Sequence, residues 1–200
     1  MILAHLRQSI LIALVALVLT FLYAFAGTGV SQLLFKDQAN GSITANGSTL
    51  IGQNWSSPKW FHGRPDDTGP YAANPKSTPP TPGGDNPLVA NGNSGQSGAT
   101  NLGPRSKVLL ADTQQLVSYW HKLGVNPTPD LVTTSGSGYD PDITPQDALV
   151  QIPMVSKATG ISPSTLRTLI SHETQGAELG FLGSSYIDVL QLNEALANLR

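Results

Sequence analysis

The chain has 200 residues, with 11 Lys+Arg against 13 Asp+Glu and a formal net charge of −2, about one domain by length. That balance excludes the basic stripe by which nucleic-acid binders release phosphate counterions. The absence of cysteine excludes disulfide frameworks, zinc–thiolate sites and thiol nucleophiles. Only 12% of residues are charged, while Gly (20) and Pro (15) are plentiful, so apolar and turn-forming residues carry most of the information.

The first element is apolar. From Ser9 to Ala26, 16 of 18 residues are hydrophobic, and no charge occurs between Arg7 and Lys36. At a rise of ~1.5 Å per residue, some 20 such residues span a ~30 Å hydrocarbon core. Residues 9–30 are therefore expected to form a transmembrane anchor. His5 and Arg7 precede it, which predicts a cytoplasmic segment 1–8 and places 31–200 on the far side. The small-x-small tripeptide Ala24-Phe25-Ala26 allows a competing reading as a signal-peptidase site. Against it stand the apolar run, longer than the usual 7–15 residues, and the bulky Phe21, Tyr23 and Phe25.

Asn40-Gly41 and Asn46-Gly47 flank Ser42-Ile43-Thr44-Ala45 and predict a short hairpin with Asn-Gly turns. Trp55, Trp60 and Phe61 form the densest aromatic cluster outside the anchor. Residues 75–104 contain 6 Pro and 6 Gly with only Lys76 and Asp85 charged, which reads as a long loop. From residue 106, Leu109, Leu116, Trp120 and Leu123 recur at helical spacing and Gly124 closes the run. Leu131-Val132-Thr133 is a strand candidate. Thr144-Pro145-Gln146-Asp147 is a helix start with an N-cap and Pro at the first position. The helix it opens should carry Leu149, Ile152 and Val155 inward, and Pro153 predicts a kink or early stop. Ser162-Pro163 repeats the start, ahead of Leu166, Leu169 and Ile170. Ile187, Val189 and Leu190 read as a strand passing into a helix through Leu192, Leu196 and Leu199.

The common catalytic patterns do not occur. No Gly-x-Ser-x-Gly elbow or phosphate-cradling Gly-rich loop before Lys-Ser/Thr is present, and His172-Glu173 lacks a second His four residues on. Two segments stand out. In Phe61-His62-Gly63-Arg64-Pro65, Arg64 reads either as an anion or partner contact with His62 as its hydrogen-bonding neighbour, or as a rigid turn whose arginine caps a carbonyl. Ser135-Gly136-Ser137-Gly138-Tyr139-Asp140 reads either as a backbone nest for an anion or as a turn satisfying its own backbone.

Leu50-Ile51-Gly52-Gln53, Phe61-His62-Gly63-Arg64-Pro65, Thr100-Asn101-Leu102-Gly103 and Ser135-Gly136-Ser137-Gly138-x-Asp140 follow the order and approximate spacing of a known family. Ile143-Thr144-Pro145-Gln146-x-Ala148, Gln151-Ile152-Pro153 and Val189-Leu190-x-Leu192-Asn193 continue the pattern. Over essentially its whole length the chain resembles the C subunit of the Kdp potassium-transporting ATPase. The resemblance implies a non-catalytic, single-pass subunit of a bacterial inner-membrane complex and favours the uncleaved anchor. Its implied partners are the channel-like K⁺-binding subunit KdpA, the P-type ATPase subunit KdpB and the small single-helix subunit KdpF. No tightly bound cofactor is implied: K⁺ is carried by KdpA, and ATP acts through KdpB, whose affinity for it the C subunit raises as a catalytic chaperone.

ATP is cytosolic and residues 31–200 are expected outside, so that chaperone effect is expected to be indirect. The resemblance points to Gln53, His62, Gly63, Arg64, Asn101, Ser135, Gly136, Ser137 and Asp140 as candidates for partner or anion contact. Ala13, Ala16, Gly27 and Gly29 are small residues that would let another helix approach the anchor. Asp66-Asp67 stand where the family usually has small residues, which sets two carboxylates beside Arg64. A membrane-anchored scaffold or ligand-binding module unrelated to transport shares every physical feature and differs only in the motif match.

The expected fold is α/β of the α+β kind: one transmembrane helix and a single exported domain. Its small sheet is expected from the 42–61, 131–135 and 187–190 regions, packed by helices at 106–123, 145–159, 163–174 and 191–199.

Overall fold

The computed structural model describes residues 2–53, 55, 57–65, 102–137 and 139–200. Two compact units emerge, Met1–Ile43 and Thr44–Arg200.

The first unit is dominated by α1 (Ile2–Leu34), 33 residues with none buried. Its length and apolar composition suffice to cross a membrane. Its hydroxyls are satisfied within the helix: Thr20 Oγ1 donates to the Ala16 carbonyl at 2.8 Å and Thr28 Oγ1 to that of Ala24 at 2.9 Å. In hydrocarbon every polar group must find such an internal partner. Phe35 (φ −137°, ψ 46°) breaks the helix, and the single turn α2 (Lys36–Ala39) follows. The Asn40 and Gln32 amides then bond each other reciprocally, at 3.1 and 3.3 Å.

The second unit is mostly helical with a two-stranded antiparallel sheet, in agreement with the expected class of fold. Its elements are α3 (Lys107–Lys122), a 3-10 turn (Asp130–Val132), β1 (Asp142–Ile143), α4 (Pro145–Thr159), α5 (Pro163–Glu173), β2 (Ile187–Asp188) and α6 (Val189–Asn198). The predicted caps at Thr144 and Ser162 form, Thr144 and Asp147 making a reciprocal capping box at α4, and Ser106 adds a cap at α3. Gly124 and Gly160 take left-handed conformations after α3 and α4.

Several expectations need correction. The sheet pairs 142–143 with 187–188, not the 42–61 and 131–135 regions. Both strands are short because helix caps sit at their ends: Ile143 is followed by the Thr144 cap, and Asp188 is itself the N-cap of α6. Leu131 and Val132 are buried but lie in the 3-10 turn, because Pro127 and Pro129 punctuate the approach. Across the Asn46-Gly47 turn the Thr44 N–H reaches the Gly47 carbonyl at 2.6 Å, yet no strand follows among the described residues up to 65. Helix α4 runs through Pro153 without stopping. Pro153 is exposed there, as is Leu149 four residues back, so the carbonyl that loses its partner lies on the solvent side. The inward stripe of α4 is Ala148, Gln151, Ile152 and Val155, and Leu149 is not part of it. Leu199 is likewise exposed.

The core gathers Phe61, Trp120, Leu131, Ile152, Leu166, Ile187, Leu192 and Leu196. Burying such side chains contributes about 1.5–3 kcal/mol each.

Candidate functional site

The Phe61–Pro65 segment crosses this core, and two helices supply what a neighbouring strand would otherwise provide. From α6, Asn193 Oδ1 accepts the Phe61 N–H at 2.8 Å while Asn193 Nδ2 donates to the Phe61 carbonyl at 2.8 Å. From α4, Gln151 Oε1 accepts the His62 N–H at 2.8 Å and Gln151 Nε2 donates to the His62 carbonyl at 3.0 Å. Both amides are fully buried. A buried backbone group left unpaired costs about 1–3 kcal/mol, so the two amides together satisfy four groups the sheet does not reach.

The His62 ring packs against Trp120, with centroids 5.4 Å apart, and its Nε2 lies 3.1 Å from the Ser57 carbonyl. A carbonyl only accepts, so Nε2 carries the proton. Burial pushes the His62 pKa down to about 4, partly offset by the Ser57 bond, and the ring is neutral at pH 7. Trp120 itself donates from Nε1 to the Leu131 carbonyl at 3.0 Å.

Arg64 makes a fork. Nη1 meets Asp140 Oδ2 at 3.2 Å, and Nη2 donates to the carbonyls of Thr133 (3.3 Å) and Thr134 (3.1 Å). The other Asp140 oxygen accepts the Asp142 N–H at 3.1 Å. Within the same loop Ser135 Oγ and Ser137 Oγ are 3.1 Å apart, and Ser137 Oγ accepts the Tyr139 N–H at 3.1 Å. The structure thus brings Arg64 and Asp140 together with the loop that holds Ser135, Gly136 and Ser137, the guanidinium resting on loop carbonyls and a carboxylate. Gly63 only joins Arg64 to His62, whose ring turns to Trp120 and the Ser57 carbonyl and is not the hydrogen-bonding neighbour of Arg64 that was expected. The geometry is that of an arginine capping carbonyls, one of the two arrangements expected of this segment. A Cβ on Gly63 would meet Val189 at 3.8 Å, an ordinary contact.

Gln53 does not join this group. Its Nε2 donates to the Ser48 carbonyl at 2.9 Å, and its amide occupies the space that a Cβ on Gly47 would need. Asn101 lies outside the described residues. On α1, successive residues turn by about 100°, so Ala13, Ala16 and Gly27 share one face. Gly29 points about 160° away from Ala13 on that count and cannot belong to the same face. Among the described residues no three His, Asp or Glu side chains gather into a metal-binding set.

Gln151 and Asn193 belong to the motifs that carry the resemblance but are not among the site candidates, and Glu194 lies outside those motifs. Glu194 Oε1 accepts from Thr44 Oγ1 at 3.0 Å and Asn46 Nδ2 at 2.8 Å. Arg200 stacks 4.4 Å over Trp60 and donates to the Lys59 carbonyl at 2.6 Å. The signal for the two buried amides was present: each is a polar residue on an inward apolar stripe, Gln151 beside Ile152 and Asn193 beside Leu192. Nothing local tells such an amide which backbone it will meet.

Compared with known proteins, residues 6–198 match a family model described as K⁺-transporting ATPase, c chain (KdpC). A potassium-transporting ATPase KdpC subunit of Methylobacterium nodulans is 38% identical over 208 residues, covering 98% of each chain. One of Gloeobacter violaceus is 39% identical over 89% of this chain and 87% of its own. One of Bacillus cereus is 37% identical over 94% of both.

Proposed function

The chain belongs to the KdpC family of potassium-transporting ATPase subunits, and from that premise we propose that it is a non-catalytic accessory subunit that stabilises the Kdp complex. Its partners are KdpA, KdpB and KdpF. It promotes ATP binding by KdpB indirectly, because α1 anchors it in the bacterial inner membrane with residues 1–8 in the cytoplasm and 31–200 outside. The observation that carries the anchor reading is the exposure of α1: a 33-residue apolar helix with no buried residue needs a non-aqueous surrounding. Ala13, Ala16 and Gly27 form its packing face against the transport subunits. The outer unit caps the channel-like partner. Its Arg64–Asp140 loop clamp and the Gln151 and Asn193 amides hold that unit in one shape, as a docking body requires.

Protease treatment of intact, right-side-out spheroplasts carrying a tag at Arg200 tests the arrangement. Digestion of the tag from outside, on a chain of full uncleaved length, is expected. Protection until lysis overturns the topology and makes direct contact with ATP the simpler mechanism.

A further inference from the structure

Between α5 and β2 the second unit carries a small hairpin with an apolar tip. Gln175 and Tyr186 exchange both backbone hydrogen bonds (2.8 and 3.1 Å), and Glu178 and Leu182 do the same (2.9 and 2.9 Å). The Phe181 N–H closes the turn on the Glu178 carbonyl at 3.2 Å. Leu179 (φ +52°) and Gly180 (φ +80°) both occupy the left-handed region, as a type I′ turn demands. That position normally holds Asn, Asp or Gly, and a leucine there is strained. The leucine keeps that conformation with its large aliphatic side chain outward. Leu179 is 79% exposed, Phe181 74% and Leu182 51%, with Tyr186 at the base. No residue from Leu179 to Ile187 is charged.

We propose that this tip is a second membrane contact, in which Leu179, Phe181 and Leu182 insert into the interfacial region of the lipid bilayer on the outer side. The inference rests on the anchored topology proposed above. Only nine residues separate the end of α1 at Leu34 from the start of the second unit at Thr44. At no more than ~3.6 Å per residue they reach about 30 Å, which bounds how far Thr44 can lie from the end of α1. A partner protein would need a pocket shaped for the tip, whereas the interface of a bilayer takes an apolar tip of any shape and leaves the exposed Glu178 at the head of the turn among the headgroups. The order of residues also suits depth in an interface: aliphatic and Phe side chains at the end, Ser184, Ser185 and the amphipathic Tyr186 behind.

The chain has no cysteine, so single-cysteine variants of the full-length protein take one environment-sensitive fluorophore each. Phe181→Cys and Leu179→Cys probe the tip, Val18→Cys the anchor, and Arg167→Cys the exposed side of α5. Each is reconstituted alone in phosphatidylcholine vesicles, with and without quencher on the acyl chains. Emission from 179 and 181 is expected to shift to shorter wavelength and to be lost to lipid quencher, as at 18, while 167 stays water-like. Tip labels that behave as 167 does while 18 is quenched overturn the proposal. Tip labels that become shielded only when the transport subunits are added also overturn it, and assign the tip to a protein partner. An unquenched label at 18 refutes the anchor itself, and this contact with it.

Discussion

Asn193 meets Phe61 with both ends of its amide, 2.8 Å to the N–H and 2.8 Å to the carbonyl, so one side chain occupies the place of a paired strand. The substitution works because an amide carries the same donor and acceptor as a peptide unit. It lets residue 61 run extended through the core with no neighbouring strand.

Replacing Asn193 with Leu should therefore destabilise the second unit by about 2–6 kcal/mol, since two buried backbone groups lose their partners at about 1–3 kcal/mol each. Asn193→Asp should be comparably damaging, because a carboxylate cannot donate to the Phe61 carbonyl. All three tryptophans, Trp55, Trp60 and Trp120, lie in this unit. Denaturant titration of the full chain in detergent, followed by tryptophan fluorescence, reads the loss directly.

His62 makes the unit acid-sensitive. Its pKa is about 4 in the folded chain against 6.5 ordinarily, so the unfolded chain binds the extra proton between those values. The stability held by the neutral ring is complete above pH 6.5 and is lost as pH falls toward 4, by about 3 kcal/mol over the window. His62→Phe should lower stability at pH 7, because the Ser57 carbonyl loses its donor, yet flatten the dependence between pH 6.5 and 4. An unchanged slope would show that the acid sensitivity lies elsewhere.

Asp142 acts in the opposite sense. It faces Asp188 directly across the sheet, and burial, then Asp140, then Asp188 raise its pKa from 3.8 to about 6. The folded chain holds the proton more tightly, so this residue destabilises above pH 6 and the penalty fades as pH falls toward 3.8. Asp142→Asn should raise stability at pH 7 by about 1 kcal/mol, a value discounted because the group is only half buried. The gain should vanish near pH 4. The same fluorescence titrations at stepped pH check both sign and window.

Arg64 ties the 133–140 loop to the 61–65 segment through three contacts. Arg64→Met should cost about 1 kcal/mol of global stability, the scale of hydrogen bonds and partly exposed ion pairs. Its larger effect should be local, with faster amide hydrogen exchange confined to residues 133–142. Exchange unchanged in that loop would mean that it holds its shape without the guanidinium.

On α1, Ala13→Leu with Ala16→Leu should weaken co-purification with KdpA and KdpB, whereas Gly29→Leu should not, because residue 29 points away from that face. Equal loss from both variants, or loss from neither, would refute the assigned packing face.

Local physics made much of this protein legible in its sequence. Some 20 uncharged and mostly apolar residues in a row specify a membrane-length helix by themselves, because helix rise and bilayer thickness are fixed lengths. Thr144 and Ser162 announced the starts of α4 and α5, since a cap bonds N–H groups only two or three residues away. The inward stripes of Ile152 and Val155, or of Leu166 and Ile170, follow from a period of 3.6. What the sequence could not reveal was which elements pair. The 42–61 region was expected to join the sheet, and its end at Phe61, with His62, is instead clamped by Gln151 and Asn193, residues 89 and 132 positions away. The 131–133 strand candidate became a 3-10 turn, and Asp142 found Asp188 across a sheet only two residues long. Helix caps and apolar periods act within a few residues. The partner of an extended segment is decided only when distant helices pack and bring a donor and an acceptor to its backbone.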